Sequence, residues 1–140
     1  MNTLKEHYEI IFFTAANSDY AEAIAQELDP EKKIVSYILD RRFCLETKNG
    51  FFIKDLRLLK NRQLKNIIIV DNLVHSFGFQ IENGVPILEW NGNKKDVELK
   101  YLIDYLLEAK NYDDVRECNR ERFRLMELST LDVNNALELL

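Results

Sequence analysis

Glycine and proline are scarce, with 4 and 2 among 140 residues. That scarcity excludes collagen-like, elastic and low-complexity chains. Cys44 and Cys118 are the only cysteines, far apart and in neither CxxC nor zinc spacing. No disulfide framework is expected, and a reducing compartment is the default. Positive charge is also in short supply. Against 24 Asp and Glu stand 19 Lys and Arg, a net charge of -5, which is a poor basis for binding nucleic acid. No apolar run approaches the roughly 18 residues that span a bilayer. Residues Met1 to His7 have neither a signal-peptide core nor Arg-rich transit character. The expectation is a soluble intracellular chain, nuclear or cytoplasmic, with no nucleic-acid or membrane partner.

What remains is a globular balance: 46% hydrophobic and 31% charged residues, enough for one domain with a core. Tyr8 to Phe13 (YEIIFF) reads as a strand buried on both faces. Asn17 or Ser18 offers an N-cap. Ala21, Ile24, Ala25 and Leu28 then follow at helical spacing, and Asp29-Pro30 ends the helix. Ile34 to Leu39 is a second strand. Phe43 to Ile53 is an antiparallel excursion turning at Lys48-Asn49-Gly50. Asp55 caps a short helix. Asn66 to Val70 (NIIIV) is the clearest buried strand, ending at Asp71-Asn72. Val85 to Trp90 is a further strand, with Pro86 near its start. Asp96 to Ala109 is a helix with Val97, Leu99, Leu102, Ile103 and Leu106 as its apolar set. Another helix starts at Asp113-Asp114 and runs to about Met126. The domain is expected over 1–126, with 127–140 a helical tail.

This order predicts a three-layer α/β fold, whose ligands sit beyond the C-terminal ends of its strands. The rule selects Thr14 and Asp71-Asn72, each closing an apolar strand with polar groups. An ordinary turn cap is the alternative for either one. Thr14 can donate to an anionic oxygen, and Lys54 can neutralise a phosphate. Asp71 and Asn72 offer the hard oxygens that magnesium takes. The group lacks a nucleophile.

Several motifs stand in consistent order: Phe13-Thr14-Ala15, Asp19-Tyr20-Ala21, Leu28-Asp29, Arg41, Cys44, Lys54-Asp55-Leu56, Ile69-Val70-Asp71-Asn72, Asn83-Gly84-Val85-Pro86, Trp90 and Asp113-Asp114-Val115-Arg116. Together they resemble the NLI-interacting-factor-like group, the RNA polymerase II C-terminal-domain phosphatases of the haloacid dehalogenase superfamily. The resemblance implies a Rossmann-like, mostly parallel sheet with a hairpin excursion. It also implies a Mg-dependent phosphoprotein Ser/Thr phosphatase using a phosphoaspartyl intermediate. Thr14 would hold a phosphoryl oxygen, and Lys54 would pair with the phosphoryl group. Arg41, or its neighbour Arg42, would contact the substrate phosphate. Asp71 and Asn72 would serve the metal.

The family's nucleophile lies in an Asp-x-Asp-x-Thr motif on a central strand before the equivalent of Tyr8. That motif does not occur in these 140 residues. Covalent catalysis needs its carboxylate, so this chain alone is expected not to turn over phosphoesters. The alternative function is a pseudophosphatase that binds a phosphopeptide or partner protein. The slot of the missing central strand must also be filled. The strands ending at Thr14 and Asp71 pair directly, another chain or upstream segment supplies a strand, or two copies form a strand-completing dimer.

Overall fold

The structure is a computed structural model that describes residues 1–129. Its order is β1 (Ile10–Phe13), α1 (Ser18–Leu28), β2 (Val35–Leu39), β3 (Leu45–Glu46), β4 (Phe52–Ile53), β5 (Ile69–Asp71), β6 (Gly84–Pro86), α2 (Glu98–Ala109), α3 (Val115–Phe123) and α4 (Leu125–Ser129). Short 3₁₀ turns join several of these, and a longer 3₁₀ segment runs over Val74–Asn83.

Among the described residues the strands form three separate pairs. β1 lies parallel to β2, and β5 lies parallel to β6. β3 and β4 form an antiparallel hairpin. The expected α/β architecture with parallel strands and a hairpin is therefore present. Direct pairing of the strands that end at Thr14 and Asp71 is not: β1 bonds to β2, and β5 to β6. A groove of about 340 Å³ lies instead between Val70 of β5 and the Ile11–Phe13 side of β1, roofed by α1.

The local reasons for these elements are visible in the sequence. The Asn17 side chain accepts the Tyr20 N–H at 2.9 Å and starts α1. Gly50 takes φ +79° in the hairpin turn, a conformation that glycine adopts without a Cβ clash. Asp114 caps α3 by accepting from Arg116 N–H at 3.0 Å. α3 stops at Arg124, which is left-handed at φ 51°, so the helix expected to reach Met126 breaks two residues sooner. The expected tail helix over 127–140 lies largely outside the described residues.

Two clusters make the core. Leu56, Ile67, Ile69 and Phe77 pack on one side of β5. Val85, Tyr105, Leu106, Ala109 and Cys118 pack on the other, with Ile68 and Val70 against them. The alternation of 67 and 69 with 68 and 70 is the two-residue period of a strand whose faces are both covered. Tyr8 ties the N-terminal region to α2 by donating to Leu106 O at 2.7 Å.

Three expectations are corrected. β5 begins at Ile69 rather than Asn66, because Leu64–Asn66 form a 3₁₀ turn and Asn83 Nδ2 holds the carbonyls of Leu64 and Ile67. β6 ends at Pro86 rather than Trp90, and Leu88 and Trp90 are 72% and 67% exposed. On α1, Ala21 and Ala25 are buried, but Ile24 and Leu28 are 40% and 51% exposed. Both exposed residues line the groove beside β1.

Candidate functional site

The site is built where β1, β4 and β5 end. Thr14 follows β1 directly. Its N–H donates to Leu39 O at 2.8 Å, and its Oγ1 accepts from Ala16 N–H at 3.1 Å. The hydroxyl is therefore a turn cap as well as a candidate ligand. Lys54 follows β4, where its N–H donates to Ser76 O at 2.6 Å. Its ammonium lies 2.5 Å from Asp71 Oδ2 and 6.0 Å from the centre of the Phe13 ring.

Asp71 closes β5. Oδ1 accepts from Leu73 N–H at 2.9 Å, and Oδ2 accepts from Lys54. Burial works to raise this carboxyl, but the bonds from Lys54 and Leu73, with the Ser76 hydroxyl nearby, outweigh it and hold it below the ordinary value. Ser76 is itself buried, beside Asp71, yet its hydroxyl completes no full hydrogen bond among the described residues.

Cys44 shows how these ends meet. Its thiol lies 3.7 Å from Thr14 O. Burial pushes the thiol up, and the charges of Lys54 and Arg41 pull it back while Asp40 and Asp71 add to the rise. The Cys44 side chain thus touches the Thr14 backbone and lies within the field of the Arg41, Lys54 and Asp71 charges.

Arg41 and Arg42 differ in their partners. Arg42 forks onto the Asp40 carboxylate with contacts of 2.9 and 2.6 Å. Arg41 reaches back to the β1–α1 loop, donating from Nε to Ala15 O at 2.6 Å, and its guanidinium lies 5.0 Å from the Phe52 ring centre. Arg41 is thus the cation on the Thr14 rim.

Asn72 stands differently. It is exposed, and its side chain makes no hydrogen bond among the described residues. The described residues also contain no cluster of three or more His, Cys, Asp or Glu that could hold a metal ion. With both Asp71 oxygens already accepting bonds, Asp71 and Asn72 fall short of the oxygen shell that magnesium takes. His75 packs on Phe51 at a ring separation of 4.8 Å. Phe77 is fully buried core, whereas Phe79 is exposed beneath Arg57 at 5.6 Å.

Sequence reasoning missed the Val74–Asn83 segment. Ser76, Gln80 and Asn83 sit there in a stretch with no helical or strand period, so periodicity carries no signal for them. Asn83-Gly84 alone stood out, as part of an ordered motif.

Parallel strand pairs with helices packed beside them, and charged groups gathered at the strand ends, define an α/β domain with a candidate anion site. A family model for NLI interacting factor-like phosphatase matches residues 1–116. The chain belongs to that family. It is 38% identical over 128 residues to CTD small phosphatase-like protein 2 of Dictyostelium discoideum, covering 91% of this chain and 22% of that protein. It is 39% identical over 127 residues to the mitochondrial import inner membrane translocase subunit TIM50 of Candida glabrata, covering 89% of this chain and 26% of that protein. Among solved structures, fission yeast RNA polymerase II CTD phosphatase Fcp1 bound to beryllium fluoride aligns with a TM-score of 0.54 at 17% identity. That alignment covers 90% of this chain and 37% of Fcp1. The chain thus spans less than half the length of these relatives.

Proposed function

We propose that this chain carries the phosphoryl-holding half of a phosphoprotein Ser/Thr phosphatase site of the C-terminal-domain phosphatase type. The observation that carries this reading is the buried Lys54–Asp71 pair, whose ammonium faces the ring of Phe13, the residue before Thr14. Thr14 supplies a hydroxyl donor, and Lys54 and Arg41 supply positive charge for phosphoryl oxygens. Asp71 and Asn72 would be the two oxygen donors on the magnesium side, and alone they do not complete its shell. The remaining donors and the attacking carboxylate would come from outside these residues, on an upstream segment or a partner strand seated in the groove beside β1. Without that carboxylate the chain holds a phosphorylated side chain and does not hydrolyse it.

Two measurements test this. Isothermal titration with a phosphoserine peptide is expected to show binding that Lys54→Ala abolishes and Thr14→Val weakens. Hydrolysis of p-nitrophenyl phosphate with Mg²⁺ is expected to stay at background. No heat from any phosphopeptide, or heat indifferent to Lys54→Ala, sinks the proposal.

A second reading is a binding module without catalysis, acting on a phosphopeptide or partner protein. It is favoured by the likeness to TIM50, whose name describes a translocase subunit. Among the described residues no helix is long and apolar enough to cross a membrane, and we place the chain in the nucleus or cytoplasm. Binding to an unphosphorylated peptide as tight as to its phosphorylated form would select this second reading. Sedimentation distinguishes a partner strand from a strand-completing dimer.

A further inference from the structure

We propose that Gln80 is a positioning residue for Lys54. The inference rests on the reading of Lys54 as the phosphoryl-holding cation. Its physical core, however, is a claim about Lys54 alone.

The segment Val74–Asn83 is two 3₁₀ stretches joined where the backbone leaves helical angles, at Phe77 (φ -115°, ψ 23°) and Gln80 (φ -133°, ψ 57°). Gln80 is buried. Its Oε1 accepts from Leu56 N–H at 2.9 Å, and its Nε2 donates to Asp55 Oδ1 at 3.0 Å. One amide therefore serves both residues that follow Lys54. The task needs a donor and an acceptor at one side-chain end. Glutamate lacks the donor, and leucine lacks both.

Residues 54–56 are thus held along their length by one segment. Ser76 O takes the Lys54 N–H at 2.6 Å, and Gln80 takes the next two positions. Asp71, at the entrance to that segment, takes the Lys54 ammonium. Without the Gln80 amide, Leu56 N–H loses a buried acceptor and Asp55 loses a donor. Buried polar groups left unpaired are costly, and the easiest relief is a shift of residues 54–56 toward water. That shift carries the root of the Lys54 side chain with it. Asn83 is the natural comparison. It is buried in the same segment and holds Leu64 O and Ile67 O at 2.6 and 2.7 Å, away from Lys54.

The test compares Gln80→Leu with Asn83→Ala in the 140-residue chain. The readouts are thermal midpoint, proton exchange of the Lys54 ammonium by ¹H–¹⁵N NMR, and affinity for inorganic phosphate. Both variants are expected to lower the midpoint. Only Gln80→Leu is expected to speed ammonium exchange and to weaken phosphate binding, the latter about tenfold, as loss of an outer-shell partner does at other sites. Should Gln80→Leu fail to fold, Gln80→Glu carries the same test. It keeps the acceptor for Leu56 N–H and sets a carboxylate against Asp55. Wild-type exchange at Lys54 in the folded Gln80 variant, or equal exchange in Asn83→Ala, overturns the proposal. Faster exchange in a protein that never binds phosphate would leave the role of Gln80 standing and end the phosphatase-site reading instead.

Discussion

Lys54 Nζ meets Asp71 Oδ2 at 2.5 Å, with only 13% and 6% of the two side chains exposed. The pair joins the end of the hairpin to the end of a parallel strand. Its geometry turns two residues 17 positions apart into one structural unit, and their energetics follow from that closeness.

Removing one partner is worse than removing both. Lys54→Met is expected to cost about 3 kcal/mol of stability, because Asp71 is left buried and unpaired. The double variant Lys54→Met, Asp71→Leu is expected to recover most of that loss. Urea denaturation of the two single variants and the double variant measures the coupling. Additive losses would show that the pair contributes nothing as a pair.

Gly84 has no room for a side chain. A Cβ there would come within 2.0 Å of the Phe77 ring, which is fully buried and cannot swing away. Gly84→Ala is expected to cost about 1–3 kcal/mol as overpacking. Adding Phe77→Leu is expected to return part of it. A wild-type denaturation midpoint for Gly84→Ala would contradict the packing described for β6.

Acid is expected to weaken the fold before Asp71 is considered at all. The Arg57 guanidinium holds Asp55 down to about 2, and Arg116 does the same for Asp114, from an ordinary value of 3.8. Both folded values are depressed. Their stabilisation is therefore complete above about 4 and lost as pH falls toward about 2. Asp55→Asn and Asp114→Asn should each flatten the fall in urea midpoint across that range.

The groove face of α1 is expected to tolerate what its buried face does not. Ile24 is 40% exposed and Ala25 is 6% exposed. Ile24→Ser should change stability by no more than about 0.5 kcal/mol. Ala25→Leu should cost about 1–3 kcal/mol. Similar losses at both positions would mean that the groove is closed.

Much of this was readable beforehand where one residue decides locally. Asn17 starts α1, and Asn49-Gly50 turns the hairpin. Thr14, Lys54 and Asp71 each lie at a strand end, and the order of elements brings those ends together. What stayed hidden depends on distant partners. Asn66 and Ile67 look like strand until Asn83 captures the carbonyls around them. Arg41 and Arg42 are indistinguishable until Asp40 claims one. Ile24 and Leu28 look like core because helical periodicity marks a face without saying what covers it. Gln80 gives no local sign, because its meaning lies 24 residues away.

Among the described residues the hairpin shares no sheet ladder with the other strands. It is moored to the body of the domain through Lys54, Ser76 and Gln80. One of those moorings ends on the ammonium that an incoming anion would seek. A guest that drew Lys54 off Asp71 would slacken that tether.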